Sequence, residues 1–232
     1  MIRLHQYPGS WGVPSVSPFC IKVEAYLRMA GLPYEIVVER NSLHGPKGKM
    51  PFIEDDGRII PDSSFIIDHL ISKYGERIPP QSPEESATSM AFQRLFEDSL
   101  CWVILYSRWI DHPGWPMWRD GFVKFFPAPL GQVVVRFVRQ TLHRQAKGHG
   151  MALHSRDEVY TIGRKDLRAI SDFLGDKAYF GGARPVLLDA TAYGFLATIL
   201  WTGVETPLKE AAKTHANLEA YCQRFRSEYF GS

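Results

Sequence analysis

The sequence predicts a two-part chain: a mixed α/β domain over residues 1–76, a linker over 77–83 and an all-helical domain over 84–232. Three observations predict it. Short apolar runs of strand character alternate with amphipathic stretches as far as Tyr74. Pro79, Pro80 and Pro83 then punctuate the chain. Beyond them strand signals largely vanish, and apolar residues recur at helical spacing.

Residues 2–7 read as the first strand, and the step Ser17-Pro18 opens a helix that runs to Ala30. Ser caps free amides and Pro suits the first helical position. Gly31-Leu32-Pro33 stops that helix, and residues 34–38 form a second strand. A loop over 41–49 leads to two short strands, 52–54 and 58–60, joined by the turn Asp55-Asp56-Gly57. The next helix begins at Asp62-Ser63 and carries Phe65, Ile66, Ile67, Leu70 and Ile71. The order is β-α-β, then β-β-α. In the second part, Met90, Phe92, Leu95, Phe96, Leu100, Val103 and Ile104 predict a long helix over 87–110. His112-Pro113-Gly114-Trp115-Pro116 breaks the chain, and helices are expected over 129–147, 156–174, 188–203 and 217–226.

Composition narrows the class. Of 232 residues, 45% are hydrophobic and 22% charged, enough for a proper core. The formal charge of +2 demands no nucleic-acid partner. Cys20, Cys101 and Cys222 are too scattered for a disulfide frame, which argues for reduced thiols and a cytoplasmic setting. The first residues lack the layout of a secretory signal. The charge-free stretch 190–204 is 15 residues, short of the roughly 20 that span a bilayer.

The most informative run is Ser17-Pro18-Phe19-Cys20. Its spacing is that of a redox Cys-x-x-Cys pair whose first Cys has become Ser. A sulfur at that seat feels the positive end of the helix and is stabilised as thiolate. With Ser17 in place the sulfur must come from a ligand, which points to a thiol cofactor.

The α/β-then-helical silhouette resembles the soluble glutathione transferase superfamily, a thioredoxin-like N-terminal domain joined to an all-α C-terminal one. Residues 2–74 carry the resemblance most strongly. Ser17-Pro18-Phe19-Cys20-Ile21-Lys22-Val23-Glu24, Leu27-Arg28-Met29-Ala30-Gly31-Leu32-Pro33-Tyr34, Lys47-Gly48-Lys49-Met50-Pro51-Phe52-Ile53 and Asp62-Ser63-Ser64-Phe65-Ile66-Ile67 look most like the failed-axon-connections and metaxin branch.

The resemblance implies glutathione as cosubstrate, held at three places. Ser17 would donate a hydrogen bond to the sulfur, although a bare helix cap explains a Ser there as well. Lys49, Met50 and Pro51 would form the docking step. In this fold the proline is characteristically cis and turns the Met50 backbone towards an extended peptide. Asp62 and Ser63 would receive the γ-glutamyl end at a helix N-terminus, where an ordinary N-cap is the plainer alternative. Tyr7 sits where tyrosine-type members place their activating hydroxyl, but the loop 8–16 is longer than usual. Trp11, in that loop, could line a ligand mouth. Cys20 is expected to face the core and be inert.

Trp102, Trp109, Trp115 and Trp118, with Tyr106, fall where the superfamily lines its electrophile cleft, though each could equally pack a core or a dimer contact. At the central helix of the second domain, Val186-Leu187-Leu188-Asp189 keeps the acid of a capping box but lacks its hydroxyl. Arg136, Arg139, His143, Arg144, Lys147 and His149 form a basic stretch that suits phosphate, an anionic membrane or an acidic partner, or is a solvated face. No histidine spacing suggests a metal.

These readings imply a cytoplasmic, homodimeric glutathione-binding transferase-like enzyme whose bound thiolate attacks a small apolar electrophile. The alternative implied by the branch is a non-catalytic interaction or assembly protein.

Overall fold

The computed structural model describes residues 1–127 and 130–231. Its first part is a four-stranded sheet of order β2-β1-β3-β4, built from β1 (Ile2–Gln6), β2 (Tyr34–Val38), β3 (Phe52–Asp55) and β4 (Arg58–Pro61). β1 runs parallel to β2, with Leu4 opposite Ile36, and antiparallel to β3, with Leu4 opposite Ile53. β3 and β4 form the expected hairpin. Tyr7 falls just beyond β1 rather than in it. Helices α1 (Pro18–Met29) and α2 (Ser63–Tyr74) complete this part.

Seven helices, α3 to α9, continue the chain among the described residues. The long helix α3 begins with Pro83–Arg94, four-residue periodicity then giving way to a π-helical stretch Leu95–Leu100, an α turn Cys101–Leu105 and a second π stretch Tyr106–Ile110. It starts at Pro83, not at residue 87, because Ser82 and Glu85 form a reciprocal capping box: the Ser82 amide donates to Glu85 (2.9 Å) and the Glu85 amide to Ser82 Oγ (3.3 Å). Then follow α4 (Gly114–Val123), α5 (Leu130–His149), α6 (Arg156–Leu174), α7 (Leu187–Leu200), α8 (Pro207–Lys213) and α9 (Ala216–Tyr229). The expected start of α5 at Pro129 lies outside the described residues. The expected break at 112–116 is shorter than read: α4 begins inside it, with Pro116 in its first turn, where a missing amide does no harm.

The main core joins both parts of the chain. Ile2, Leu4 and Ile53 from the sheet, Ile21, Tyr26 and Leu27 from α1, and Tyr193, Phe195 and Leu196 from α7 are all buried in it. α1 and α7 approach so closely that a Cβ on Gly194 would lie 2.5 Å from the Pro18 carbonyl oxygen. Val186 gives α7 no hydroxyl cap, and Asp189 compensates. Its carboxylate accepts from the amides of Phe180 (2.9 Å) and Val186 (2.8 Å), reaching back into the preceding loop. Burial nonetheless pushes this carboxyl up to about 6.

A second cluster is aromatic. Trp109, Trp118 and Phe122 are buried with Val16, Val135 and Val204, and Trp11, Trp115 and Leu142 pack against them. Among the described residues, no helix is long and apolar enough to cross a membrane.

Candidate functional site

Ser17 occupies the N-cap position of α1 with an extended backbone (φ −102°, ψ 124°), and Pro18 follows at the first helical position. Its side chain makes no cap hydrogen bond. The expectation that Ser17 caps α1 is therefore corrected: the hydroxyl is not committed to the helix amides. The Ser17 amide donates instead to Ser15 Oγ (3.3 Å), which holds the approach to the helix in place. The Ser17 and Ser15 hydroxyls are within hydrogen-bonding reach of the Cys20 thiol, yet burial dominates and pushes that thiol up to about 11. A fully buried, neutral Cys20 is the inert residue the sequence suggested.

Met50-Pro51 is a cis peptide, as expected. Met50 is buried with Cys20 and Phe52, and Tyr7 packs against this cluster. Lys49, next to it, is exposed. The Tyr7 phenol is pushed up to about 12 by burial, a hydrogen bond with Ser42 only partly opposing this. At neutral pH it is therefore a hydrogen-bond donor and not a base.

At the start of α2, Asp62 has a left-handed φ of +80°, a costly conformation for a residue with a side chain. Its carboxylate accepts from the Ser64 amide (3.1 Å), so the plain capping role is filled. Its own amide points at the Pro51 carbonyl (3.4 Å), which ties this turn to the cis-proline step. Ser63 is 5% exposed. Beneath it lies a group that sequence reasoning passed over. Lys22 of α1, 2% exposed, donates to Ser63 Oγ (3.3 Å), Ser64 Oγ (3.1 Å) and Glu97 Oε1 (2.6 Å). Gln93 donates to both oxygens of the same Glu97 carboxylate (3.3 and 3.2 Å). With an ammonium on their lone pairs, the two serine hydroxyls keep their own protons free for an anion above the helix end. Lys22 thus links α1, α2 and α3 at one point.

Arg108, on the second π stretch of α3, was likewise missed. It is 6% exposed, donates to the carbonyls of Val16 (3.2 Å) and Thr198 (2.6 Å), and lies 4.6 Å over the Trp118 ring. Burial pulls its guanidinium down to about 10, still charged at neutral pH. By gripping Val16 it fixes the residue before Ser17. The only advance signal was an arginine on the apolar stripe of a helix.

For Trp109 and Trp118 the core-packing alternative is the one realised. Trp109 (7% exposed) and Trp118 (2%) are packed inside the second cluster and do not line an open cleft. Trp102 stacks on His149, and Tyr106 packs edge-on to Tyr160. Trp11 is the link to the site: its indole stacks on Trp118 (5.1 Å between centroids) and sits where a Cβ on Gly121 would lie 2.3 Å away. The loop 8–16 is closed at its base by the Val16 amide on the Pro8 carbonyl (3.2 Å).

A β-α-β-β-β-α unit whose cis-proline step is tied to the start of its second helix, backed by a helical bundle, defines a glutathione transferase-like fold. Comparison with known proteins agrees. The family model of the glutathione S-transferase N-terminal domain matches residues 18–114, and that of the C-terminal domain matches residues 163–225. The chain is 32% identical to an isoprene-epoxide–glutathione S-transferase of a Rhodococcus species, over 99% of both chains. It is 30% identical to Failed axon connections of Drosophila melanogaster, over 99% of this chain and 58% of that one. It is 27% identical to human Metaxin-2, over 90% of this chain and 81% of the relative. A crystal structure of a glutathione S-transferase from Methylobacterium radiotolerans, in complex with glutathione sulfonate, superposes with a TM-score of 0.61 at 21% identity, covering 100% of this chain and 93% of that one. The chain belongs to the glutathione S-transferase family.

Proposed function

We propose that this protein binds glutathione and delivers its thiolate to a small apolar electrophile. The observation that carries this reading is the joining of the Met50-Pro51 step to the start of α2, with Lys22 reaching Ser63 from α1, the helix that Ser17 precedes. The Pro51 carbonyl meets the Asp62 amide, and Lys22 runs from α1 to the Ser63 hydroxyl. In this reading Ser17 donates to the sulfur, with its hydroxyl free of the helix cap. Tyr7 is a second donor to the same atom. The exposed Lys49 and the Met50 backbone dock the peptide, Ser63 with the α2 amides takes the γ-glutamyl carboxylate, and Asp62 faces its amine. The protein supplies position and field, and the thiol supplies the nucleophile.

The relative that acts on an isoprene epoxide makes a small apolar epoxide the first electrophile to try. We place the site in a domain of residues 1–76, separated by a linker at 77–83 from the helical domain 84–232. Three free cysteines suit a cytoplasmic protein, and a homodimer is the assembly the resemblance implies.

The test is mass spectrometry of the conjugate formed from glutathione and isoprene monoepoxide, with the heat-treated protein as the blank. A conjugate formed faster than in the blank supports the reading. Neither conjugate nor calorimetric binding of glutathione at millimolar concentration would favour the second reading, an interaction or assembly protein. The similarity to Failed axon connections and Metaxin-2 keeps that reading in play.

A further inference from the structure

Residues 115–162 lie between the two stretches matched by the family models. They contain most of α4 and all of α5, and their charge is lopsided. From residue 121 to residue 156 there is no Asp or Glu, while Lys124, Arg136, Arg139, Arg144, Lys147 and Arg156 contribute six cations. The rest of the chain then holds 21 cations against 25 acids, a net charge of −4 beside a patch of +6.

α5 presents two sharply different sides. Val135 and Ala146 are buried, and Val138 and Leu142 pack on the aromatic cluster, so the helix is firmly seated. On the opposite side Leu130, Val133 and Phe137 are 60%, 68% and 67% exposed. Their spacing puts them on one line of the helix, which continues through Gln140 to Arg144. Arg136, His143 and Lys147 run alongside. Ile110, Arg136, Arg139, Gln140 and His143 line an open depression of about 370 Å³. Arg139 is held there by the carbonyl of Trp109 (2.8 Å) and lies 4.3 Å over the Trp115 ring.

We propose that this face of α5 docks on an anionic phospholipid surface. Leu130, Val133 and Phe137 enter the head-group boundary, Arg144 and Lys147 lie at the level of the anionic groups, and the Arg136–His143 depression receives a lipid phosphate. A solvated surface would not expose three large apolar residues in line. An acidic peptide would be met by cations without needing them. An exposed apolar line flanked by cations, with no acid on the helix, is the pattern of an interfacial helix. The proposal does not depend on the glutathione site.

The test is flotation of the whole protein with vesicles of phosphatidylcholine alone or with about one-third phosphatidylserine. Binding to the mixed vesicles only, weakened by salt, is expected. Each cation near such a surface changes partitioning roughly fivefold, so Arg144→Gln with Lys147→Gln should lose about 25-fold. Phe137→Ser should lose roughly tenfold. Both variants should keep the parent's circular dichroism and its sedimentation behaviour.

No flotation with mixed vesicles at low salt would overturn the proposal, as would variants that float like the parent. Millimolar inorganic phosphate that releases the protein at constant ionic strength would point to a free-anion site instead. A parent dimer that Phe137→Ser converts to monomer without lipid would make this face a contact between copies.

Discussion

Replacing Lys22 by Met tests the polar centre under the proposed ligand seat. The substitution keeps the length of the side chain and removes the ammonium. Lys22 and Glu97 have side chains only 2% and 7% exposed and lie 2.6 Å apart. Loss of the cation leaves a buried carboxylate with only the Gln93 amide, at 3.2–3.3 Å, to satisfy it. Breaking a buried pair from one side costs about 3–5 kcal/mol, whereas replacing both partners by apolar groups is often neutral. Urea unfolding should therefore show Lys22→Met destabilised by about 3 kcal/mol or more, and Lys22→Met/Glu97→Met returned to within about 1–2 kcal/mol of the parent. The double variant has a second use. Its fold is restored, but Ser63 loses the Lys22 donor that orients its hydroxyl and Ser64 keeps only Gln93 (3.4 Å), so glutathione affinity should still fall roughly tenfold. A single variant that costs under about 1 kcal/mol, or a double variant no better than the single, would refute the buried-pair reasoning.

Three further outcomes follow from the same geometry. Ser63→Ala should weaken glutathione binding by about ten- to hundred-fold in calorimetry with circular dichroism unchanged, because it removes a hydrogen bond to a charged group; Asp62→Asn should weaken it as well. Asp55, 1% exposed, should limit stability in acid. Burial opposes its ionisation, but hydrogen bonds from Lys73, His69 and Tyr74 outweigh this and hold its carboxyl at about 2. Its folded value is below the ordinary one, so its contribution of about 2 kcal/mol is complete above about pH 4 and is lost as pH falls towards 2; Asp55→Asn should flatten that limb of the stability–pH curve. Gly121→Ala should push the Trp11 ring aside, costing about 1–3 kcal/mol and changing Trp fluorescence.

The sheet, α1 and the Asp62-Ser63 helix start were legible because each rests on local chemistry: a strand pattern, a Ser-Pro start, a turn of Asp and Gly. The Met50-Pro51 step was legible only through resemblance. Lys22 was not, because Ile21-Lys22-Val23-Glu24 reads as a helix with a charged face. In fact α1 is enclosed on both sides, by the sheet and by α7, and both Lys22 and Glu24 are buried. Glu24 is satisfied by Arg28 one turn on and by Gln6 and Tyr34, the last two contacts spanning 18 and 10 residues and leaving no local trace. The apolar residues on every side of α1 were the available clue. α4 was hidden by Pro113, Gly114 and Pro116, which read as a break although Pro is at home in a first turn. α8, begun by Thr206 capping the Lys209 amide (3.2 Å), was too short for periodicity to show.

The central claim is that bound glutathione is held as a thiolate by the Ser17 hydroxyl. Ultraviolet thiolate absorbance of the complex, titrated against pH, measures it directly. The parent protein should show a midpoint at least one unit below the ordinary thiol value of about 8.5. Ser17→Ala should return it towards that value with affinity changed only a few-fold, and Tyr7→Phe should raise it by less than Ser17→Ala does. A midpoint equal to that of free glutathione, or one that follows Tyr7 and ignores Ser17, would contradict the account.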